Sequence, residues 1–391
     1  MKKHALFSTC VVAAAAIALS AVAAKAATPV NPNASPEAKM LLNYVYSQFG
    51  KKIMAAQHGA QTQYEYVHTV TGKYAAIWGT DLIGSGRNDQ LMTDVIGWWA
   101  KGVIPTIMWH WGAPTKGEGY DQSKMTIDVN QCFVTGTAIN VQMVADLKRI
   151  ADNLTRLRDA KVPVLWRPLH EASGGWFWWD KSGGPAYVKL WQYMYNYFTK
   201  DRGLNNLLWV EGFDGSPSAA YWAGAAYVDI IGSDNYDNLT TSHLNMFSAC
   251  KTIAGNTMPI AFHECGTIAD PANCQKDNAM WSWFMVWDSF ITGVDKTYLT
   301  TVYNSPLVIT LDKNPNWATM ALDYKKPAGK TFVTGTARSL PRNAAIYSLD
   351  GKRVNVTSSE MKSGKFTNRM HSGVYLASNK NEKGSLLVVA P

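Results

Sequence analysis

Eight short, almost wholly apolar runs recur along this chain, and their recurrence narrows the available folds more than any other feature. They occupy residues 52–56, 74–78, 103–109, 162–166, 206–210, 227–231, 258–262 and 281–287. Each has the length of a strand and little polar alternation, the pattern of a strand buried on both faces. Between several of them lie segments of helical period, notably 138–157 and 187–198, with an apolar residue about every three or four positions. Buried strands alternating with helices imply a parallel sheet covered by helices, and eight such units predict an α/β fold closed into a (β/α)8 TIM barrel. A doubly wound open sheet is the alternative on this pattern alone.

The residues that end the runs favour the barrel. They include Gln57-His58, Asp81, Trp109-His110-Trp111, Arg167 through Glu171, Glu211, Asp234-Asn235-Tyr236, His263-Glu264 and Trp287-Asp288. Barrel enzymes carry their chemistry at the strand C-terminal ends, where these side chains would converge. After Trp317 the texture changes. Lys325-Lys326-Pro327-Ala328-Gly329-Lys330 reads as a linker, and 331–391 reads as a small all-β appendage, with a hairpin turn at Asp350-Gly351 and strands at 345–349 and 373–376.

The chain start has the three regions of a secretory signal: Lys2 and Lys3, an apolar stretch from Ala5 to Ala24, and Ala24-Lys25-Ala26 as cleavage site. Residues 1–26 are read as a signal peptide, 27–325 as the catalytic domain and 331–391 as the tail. No later stretch approaches the roughly 20 apolar residues needed to span a bilayer. The expectation is a secreted protein, extracellular, periplasmic or held at a bacterial cell surface. Export would permit disulfides among Cys132, Cys250, Cys265 and Cys274, and the short loop between Cys265 and Cys274 makes that pair the preferred bridge.

The formal charge of +8 is confined to the ends. Residues 1–26 carry a net +3 and 331–391 a net +6, which leaves 27–330 at −1. A near-neutral body has no electrostatic reason to attract nucleic acid. Thiolate zinc spacing is absent, so neither a metal nor another cofactor is expected. His170-Glu171 does not open an H-E-x-x-H motif, because Gly174 stands at the second histidine position. Neither a G-x-S-x-G elbow nor a complete dinucleotide fingerprint is present.

Two carboxylates stand out because each ends a buried run beside a histidine: Glu171 after His170 and Glu264 after His263. They are 93 residues apart, so only a fold that closes on itself can bring them together. Paired carboxylates across a groove are what glycosidic bond cleavage requires: one protonates the leaving oxygen, and the other attacks the anomeric carbon or activates water. The chain has 16 Trp, 18 Tyr and 12 Phe, and several crowd these acids, as in Trp176-Phe177-Trp178-Trp179 and around His110. Sugar rings pack their C–H groups on aromatic faces, so aromatics beside carboxylates suggest a carbohydrate groove. Others, including Trp98, Trp99, Trp191 and Trp209, are read as core.

The run Trp166-Arg167-Pro168-Leu169-His170-Glu171-Ala172-Ser173-Gly174-Gly175-Trp176-Phe177-Trp178-Trp179 closely resembles the acid/base segment of glycoside hydrolase family 26, the mannanase family. Supporting segments are Gln57-His58, Trp109-His110, Ile231 through Tyr236 and His263-Glu264-Cys265-Gly266, so the resemblance extends over roughly residues 40–320. It implies a (β/α)8 barrel, retention of anomeric configuration and chiefly endo-β-1,4-mannanase activity on β-mannan or manno-oligosaccharides, by a monomer. It makes Glu171 the general acid/base and Glu264 the nucleophile. It places Arg167, His170, Trp176 and Tyr236 around the sugar at the cleavage point, with His110, Asp234 and Trp287 along the groove. Phe213 is transferred as a binding residue on a less distinctive segment. Ser173 stands where many members have Asn, which bears on subsite contacts rather than on the reaction. The tail is similar to C-terminal β segments that some bacteria append to secreted proteins for sorting or attachment. Two other functions fit these residues: the same mechanism on β-1,3-xylan or mixed-linkage β-glucan, and a catalytically silent carbohydrate-binding protein.

Overall fold

A computed structural model describes residues 27–84, 88–256 and 258–324, together with four segments between 345 and 389. Eight parallel strands close on themselves in chain order: β1 (Ile53–His58), β2 (Ile77–Asp81), β3 (Ile104–Met108), β4 (Val164–Arg167), β5 (Leu207–Phe213), β6 (Ile230–Asn235), β7 (Ile260–Cys265) and β8 (Trp283–Val286). β8 and β2 both pair with β1, which closes the barrel and selects it over the open sheet. A two-residue strand, β9 (Val308–Ile309), extends the sheet at the start of β1.

The unbroken apolar runs have a physical reason: alternate residues of each strand enter different cores. Met54, Ala56, Ile77, Ile104, Leu165, Leu208, Val210 and Met285 fill the barrel interior. Ile53, Ala55, Trp78, Ile107, Val164, Trp166, Leu207 and Trp209 face outward beneath the helices. Helix α1 (Pro36–Gln48) shares the interior cluster through Leu41, Leu42 and Val45. It starts where Ser35 accepts from the Ala38 N–H and Pro36 fixes the first turn.

The outer layer comprises α2 (Gln61–Thr71), α3 (Asn88–Ala100), the single turn α4 (Tyr120–Ser123), α5 (Ala138–Asp159), α6 (Gly184–Asn196), α7 (Leu244–Ile253), α8 (Pro271–Lys276), α9 (Lys296–Tyr303) and α10 (Trp317–Tyr324). The helix expected at 138–157 is α5, capped by the Thr137 hydroxyl. The helix expected at 187–198 begins three residues earlier as α6 and ends in a wide turn over Tyr197–Asp201.

Several strands start and end later than their apolar runs. β2, β6 and β7 continue through Asp81, through Ser233-Asp234-Asn235 and through His263-Glu264-Cys265. Backbone pairing is indifferent to side-chain polarity, so polar residues at the barrel mouth remain in the sheet. Beyond the barrel, β10 (Ala345–Ser348), β11 (Arg353–Val354), β12 (Gly373–Asn379) and β13 (Glu382–Val389) form a separate antiparallel sheet in the order β11-β10-β12-β13. The expected turn Asp350-Gly351, the linker at 325–330 and the signal segment at 1–26 lie outside the described residues.

The expected Cys265–Cys274 bridge is not formed. Cys132, Cys250, Cys265 and Cys274 are all buried free thiols. Cys265 ends β7 with its thiol donating to the Met285 carbonyl at 3.3 Å, while Cys274 is buried in α8. Closeness in sequence gives no bridge by itself, since a disulfide also needs the two side chains aimed at each other in a narrow geometry.

Candidate active site

The acid-bearing segment begins at Arg167, the last residue of β4, and its first residues turn sharply. Leu169, Glu171 and Ser173 all adopt left-handed backbone, with φ of 47°, 54° and 76°. Such angles cost non-glycine residues roughly 1–2 kcal/mol each and persist where surroundings over-determine them. Here the surroundings are specific. The Trp179 indole donates to the His170 carbonyl at 3.0 Å, and the Tyr187 hydroxyl donates to the Leu169 carbonyl at 3.2 Å. Ala172 donates to the Gly212 carbonyl, and Gly175 donates to the Asp180 carboxylate at 2.7 Å.

Glu264 reaches the same place by another device. Strict alternation along β7 would put Glu264 on the outer face with Phe262. Instead the β6–β7 register slips, pairing Ser233 with Phe262 but Asp234 with Glu264. The extra residue is His263, whose side chain enters the barrel beside Gly212 and Gly232. A bulge of this kind re-aims the following side chain, and Glu264 turns into the mouth.

Carboxylate oxygens of Glu171, Asp234 and Glu264 consequently lie within 4.8 Å of one another. The Arg167 guanidinium pairs with Glu264 through Nη1 and with Asp234 through Nη2. The Tyr236 hydroxyl donates to the second oxygen of Glu264 at 2.6 Å. Accepting from a guanidinium and a phenol, the Glu264 carboxylate has both oxygens held in place. Three carboxylates this close could ligate a metal ion, but Arg167 already balances two of them.

Glu171 meets different surroundings. Burial and then the negative charge of Glu264 push its pKa up to about 7, against the opposing hydrogen bond from the Trp176 indole, which donates to Oε2 at 2.5 Å. Two carboxyls of identical chemistry are thereby set apart: Glu171 still holds part of its proton near neutrality, whereas Glu264 is engaged by Arg167 and Tyr236. Asp234 is also raised: burial outweighs the pull of Arg167, and the charges of Glu264 and Glu171 add to it.

Beside the pair, His110 Nδ1 contacts Asp81, which also accepts from the His110 backbone N–H at 3.0 Å. Burial opposes a charge on His110, yet Asp81 overcomes it and raises the pKa. His110 Nε2 lies 3.1 Å from His170 Nε2, and His170 is held well below the ordinary value by burial and then by His110. One proton bridges the two nitrogens: with His110 charged beside Asp81 it comes from His110, and with His110 neutral, its Nδ1 proton directed at Asp81, it comes from His170.

A cleft of about 1070 Å³ opens over these groups. Its walls include Glu171, Glu264, His110, Tyr236 and Trp287, with Tyr120, Phe177 and Phe290 contributing aromatic surface. Trp287 stacks on His58 at 3.7 Å, and burial pushes the His58 pKa down to about 4. Trp176 and Tyr236 are each 38% exposed, leaving ring surface open for a ligand.

Of the ten residues proposed from sequence, the structure brings nine around this centre. Phe213 is the exception: its side chain is fully buried in the outer core, where its backbone bridges Ala172, and it does not face the cleft. Its strand position was legible; the face on which it lies was not. Sequence reasoning placed Asp81 and His58 at strand ends without giving them a role, and the strand-end position was the available signal. Phe290 carried no signal, since it lies in a short helical turn after β8.

A sequence profile described as glycosyl hydrolase family 26 matches residues 30–313. A mannan endo-1,4-beta-mannosidase of Thermothelomyces thermophilus is 34% identical over 308 residues, covering 73% of this chain and 63% of that protein. Across three such curated relatives, the chain spans 51% to 63% of their length. Among solved structures, a β-(1,4)-mannanase of Podospora anserina superposes with a TM-score of 0.69 at 32% identity, covering 74% of this chain and 69% of that one. A β-mannanase from a symbiotic protist of the termite Reticulitermes speratus, complexed with a gluco-manno-oligosaccharide, gives 0.67 at 32% identity, covering 74% and 98%.

Proposed function

The chain belongs to glycosyl hydrolase family 26, and from that membership and its paired carboxyls we propose a secreted endo-β-1,4-mannanase that cuts mannan-type polysaccharides with retention of configuration. The observation that carries the reading is the closeness of Glu171 and Glu264, whose carboxylate oxygens lie within 4.8 Å. Retaining glycosidases hold their two carboxyls roughly 5–5.5 Å apart, too close for an intervening water.

In the first step an oxygen of Glu264 attacks the anomeric carbon while Glu171 passes its proton to the departing glycosidic oxygen. The carbon–oxygen bond breaks as the glycosyl ester forms. Esterification removes the negative charge on Glu264, and with it one of the two causes that keep Glu171 protonated. Glu171 can then remain ionised and take a proton from water, which attacks the anomeric carbon and frees Glu264. Arg167 and Tyr236 orient Glu264 throughout. Trp176, Tyr236 and Trp287 offer ring surface to the sugar, and His110 and His170 supply fixed polar partners.

Residues 27–325 carry this activity in our reading, 1–26 direct export, and 331–391 serve sorting or attachment. The test uses aryl glycosides with good leaving groups. Glu171→Ala should spare glycosylation of the enzyme and slow breakdown of the intermediate, whereas Glu264→Ala should abolish both steps. Equal, mild losses in the two variants would contradict these roles. Reducing-end release from mannan, β-1,3-xylan and mixed-linkage β-glucan identifies the polymer, and binding without release would mark a silent protein.

A further inference from the structure

Behind the loop that presents Glu171 lies a fully buried carboxyl with no part in the chemistry above. Glu211 is on β5 between Val210 and Gly212, whose faces turn to the barrel interior, so Glu211 turns outward beneath α6. The Ala223 backbone N–H approaches its two oxygens at 3.2 and 3.3 Å. Burial without a cationic partner raises its pKa well above the usual carboxylate range, which favours the protonated acid. A buried carboxylic acid must donate its proton to something, because an unmade hydrogen bond there costs roughly 1–3 kcal/mol.

The Tyr187 hydroxyl of α6, itself fully buried, is the hydrogen-bonding side chain at hand. It spends its own proton on the Leu169 carbonyl at 3.2 Å. With Glu211 as the acid, the ordering that satisfies all three groups has Glu211 donating to the Tyr187 oxygen and Tyr187 donating to the Leu169 carbonyl. Leu169 is the first of the three left-handed residues in the segment that ends at Ser173, with Glu171 at its centre.

We infer that Glu211 and Tyr187 are positioning residues for Glu171: their hydrogen-bond chain to the Leu169 carbonyl fixes the left-handed turn that aims the acid/base carboxyl at the glycosidic oxygen. The inference rests on the acid/base role given to Glu171 under the proposed function.

The test compares kcat/KM on manno-oligosaccharides, which need a protonated leaving group, with kcat/KM on an aryl mannobioside whose leaving group needs none; kcat/KM reports glycosylation in both. Tyr187→Phe and Glu211→Leu should lower the first by about 10-fold to 100-fold, the scale of a misplaced catalytic group, and change glycosylation by the second less than about twofold. On the aryl substrate kcat and KM should fall together, because a misplaced Glu171 also slows breakdown of the intermediate. Glu211→Gln keeps a donor for Tyr187 and an acceptor for Ala223, and should restore most of what Glu211→Leu loses. Equal losses on both substrates, no loss on either, or a Glu211→Gln variant as impaired as Glu211→Leu would overturn the inference. If Glu211→Leu does not fold, Tyr187→Phe decides by the same comparison. Glu171→Ala is run alongside: its failure to separate the two substrates would sink the acid/base role itself, whereas a separation there but not in Tyr187→Phe sinks this inference alone.

Discussion

At neutral pH Glu171 stands near the midpoint of its titration, which makes its few contacts decisive. Burial and Glu264 push its pKa up to about 7, and the indole N–H of Trp176 pulls against them by bonding the ionised form. Trp176→Phe removes that donor, so the anion loses stabilisation and the pKa of Glu171 rises further. Because the proposed reaction needs the protonated acid, the alkaline limb of kcat/KM should move from about 7 to higher pH. A pH profile on a manno-oligosaccharide, whose leaving group needs the proton, checks this, and a limb that moves downward would contradict the sign. At this scale the sequence was informative where a motif was long. Arg167, His170, Glu171 and Trp176 all came from one uninterrupted run, and the structure places all four at the same centre. Phe213 came from a segment with little local signature, and its strand turns it into the core instead.

The strand elements carry a constraint that no apolar run reveals. Gly212 of β5 and Gly232 of β6 are register partners, and together they make room in the barrel for His263 and Arg167. A Cβ on Gly232 would sit 2.0 Å from the Ala261 carbonyl oxygen and 2.7 Å from two ring atoms of His263. Gly232→Ala should therefore overpack the wall under Arg167 and cost about 1–3 kcal/mol. Thermal unfolding should show it as a fall of about 2–4 °C per kcal/mol, and an unchanged melting temperature would mean the neighbours give way freely. The bulge in β7 belongs to the same class of feature. Period-two reasoning assigns Phe262 and Glu264 to one face, and only pairing with β6 shows the slip that separates them.

For the whole molecule, the preferred disulfide was the expectation that failed, and the failure has a measurable consequence. All four cysteines beyond residue 26 are buried thiols, and burial raises the pKa of each. Dithiothreitol should leave the melting temperature unchanged, and a thiol reagent should titrate these four groups only after denaturation. A melting temperature that falls on reduction would indicate a bridge. The stability of the barrel comes instead from its two concentric cores, one inside the strands and one between strands and helices.

The sequence by itself determined the eight barrel strands, their alternation with helices and the two carboxyls proposed as acid/base and nucleophile, because each of these is written in local periodicity or in short motifs at strand ends. Tertiary structure alone decided that the barrel closes, that Glu264 turns inward, that one guanidinium serves two carboxylates, that Phe213 leaves the cleft and that the cysteines remain thiols. Those outcomes depend on register, on twist and on the direction of side chains from segments distant in the chain. Local composition does not encode them, since the energies that set them arise only when the strands meet.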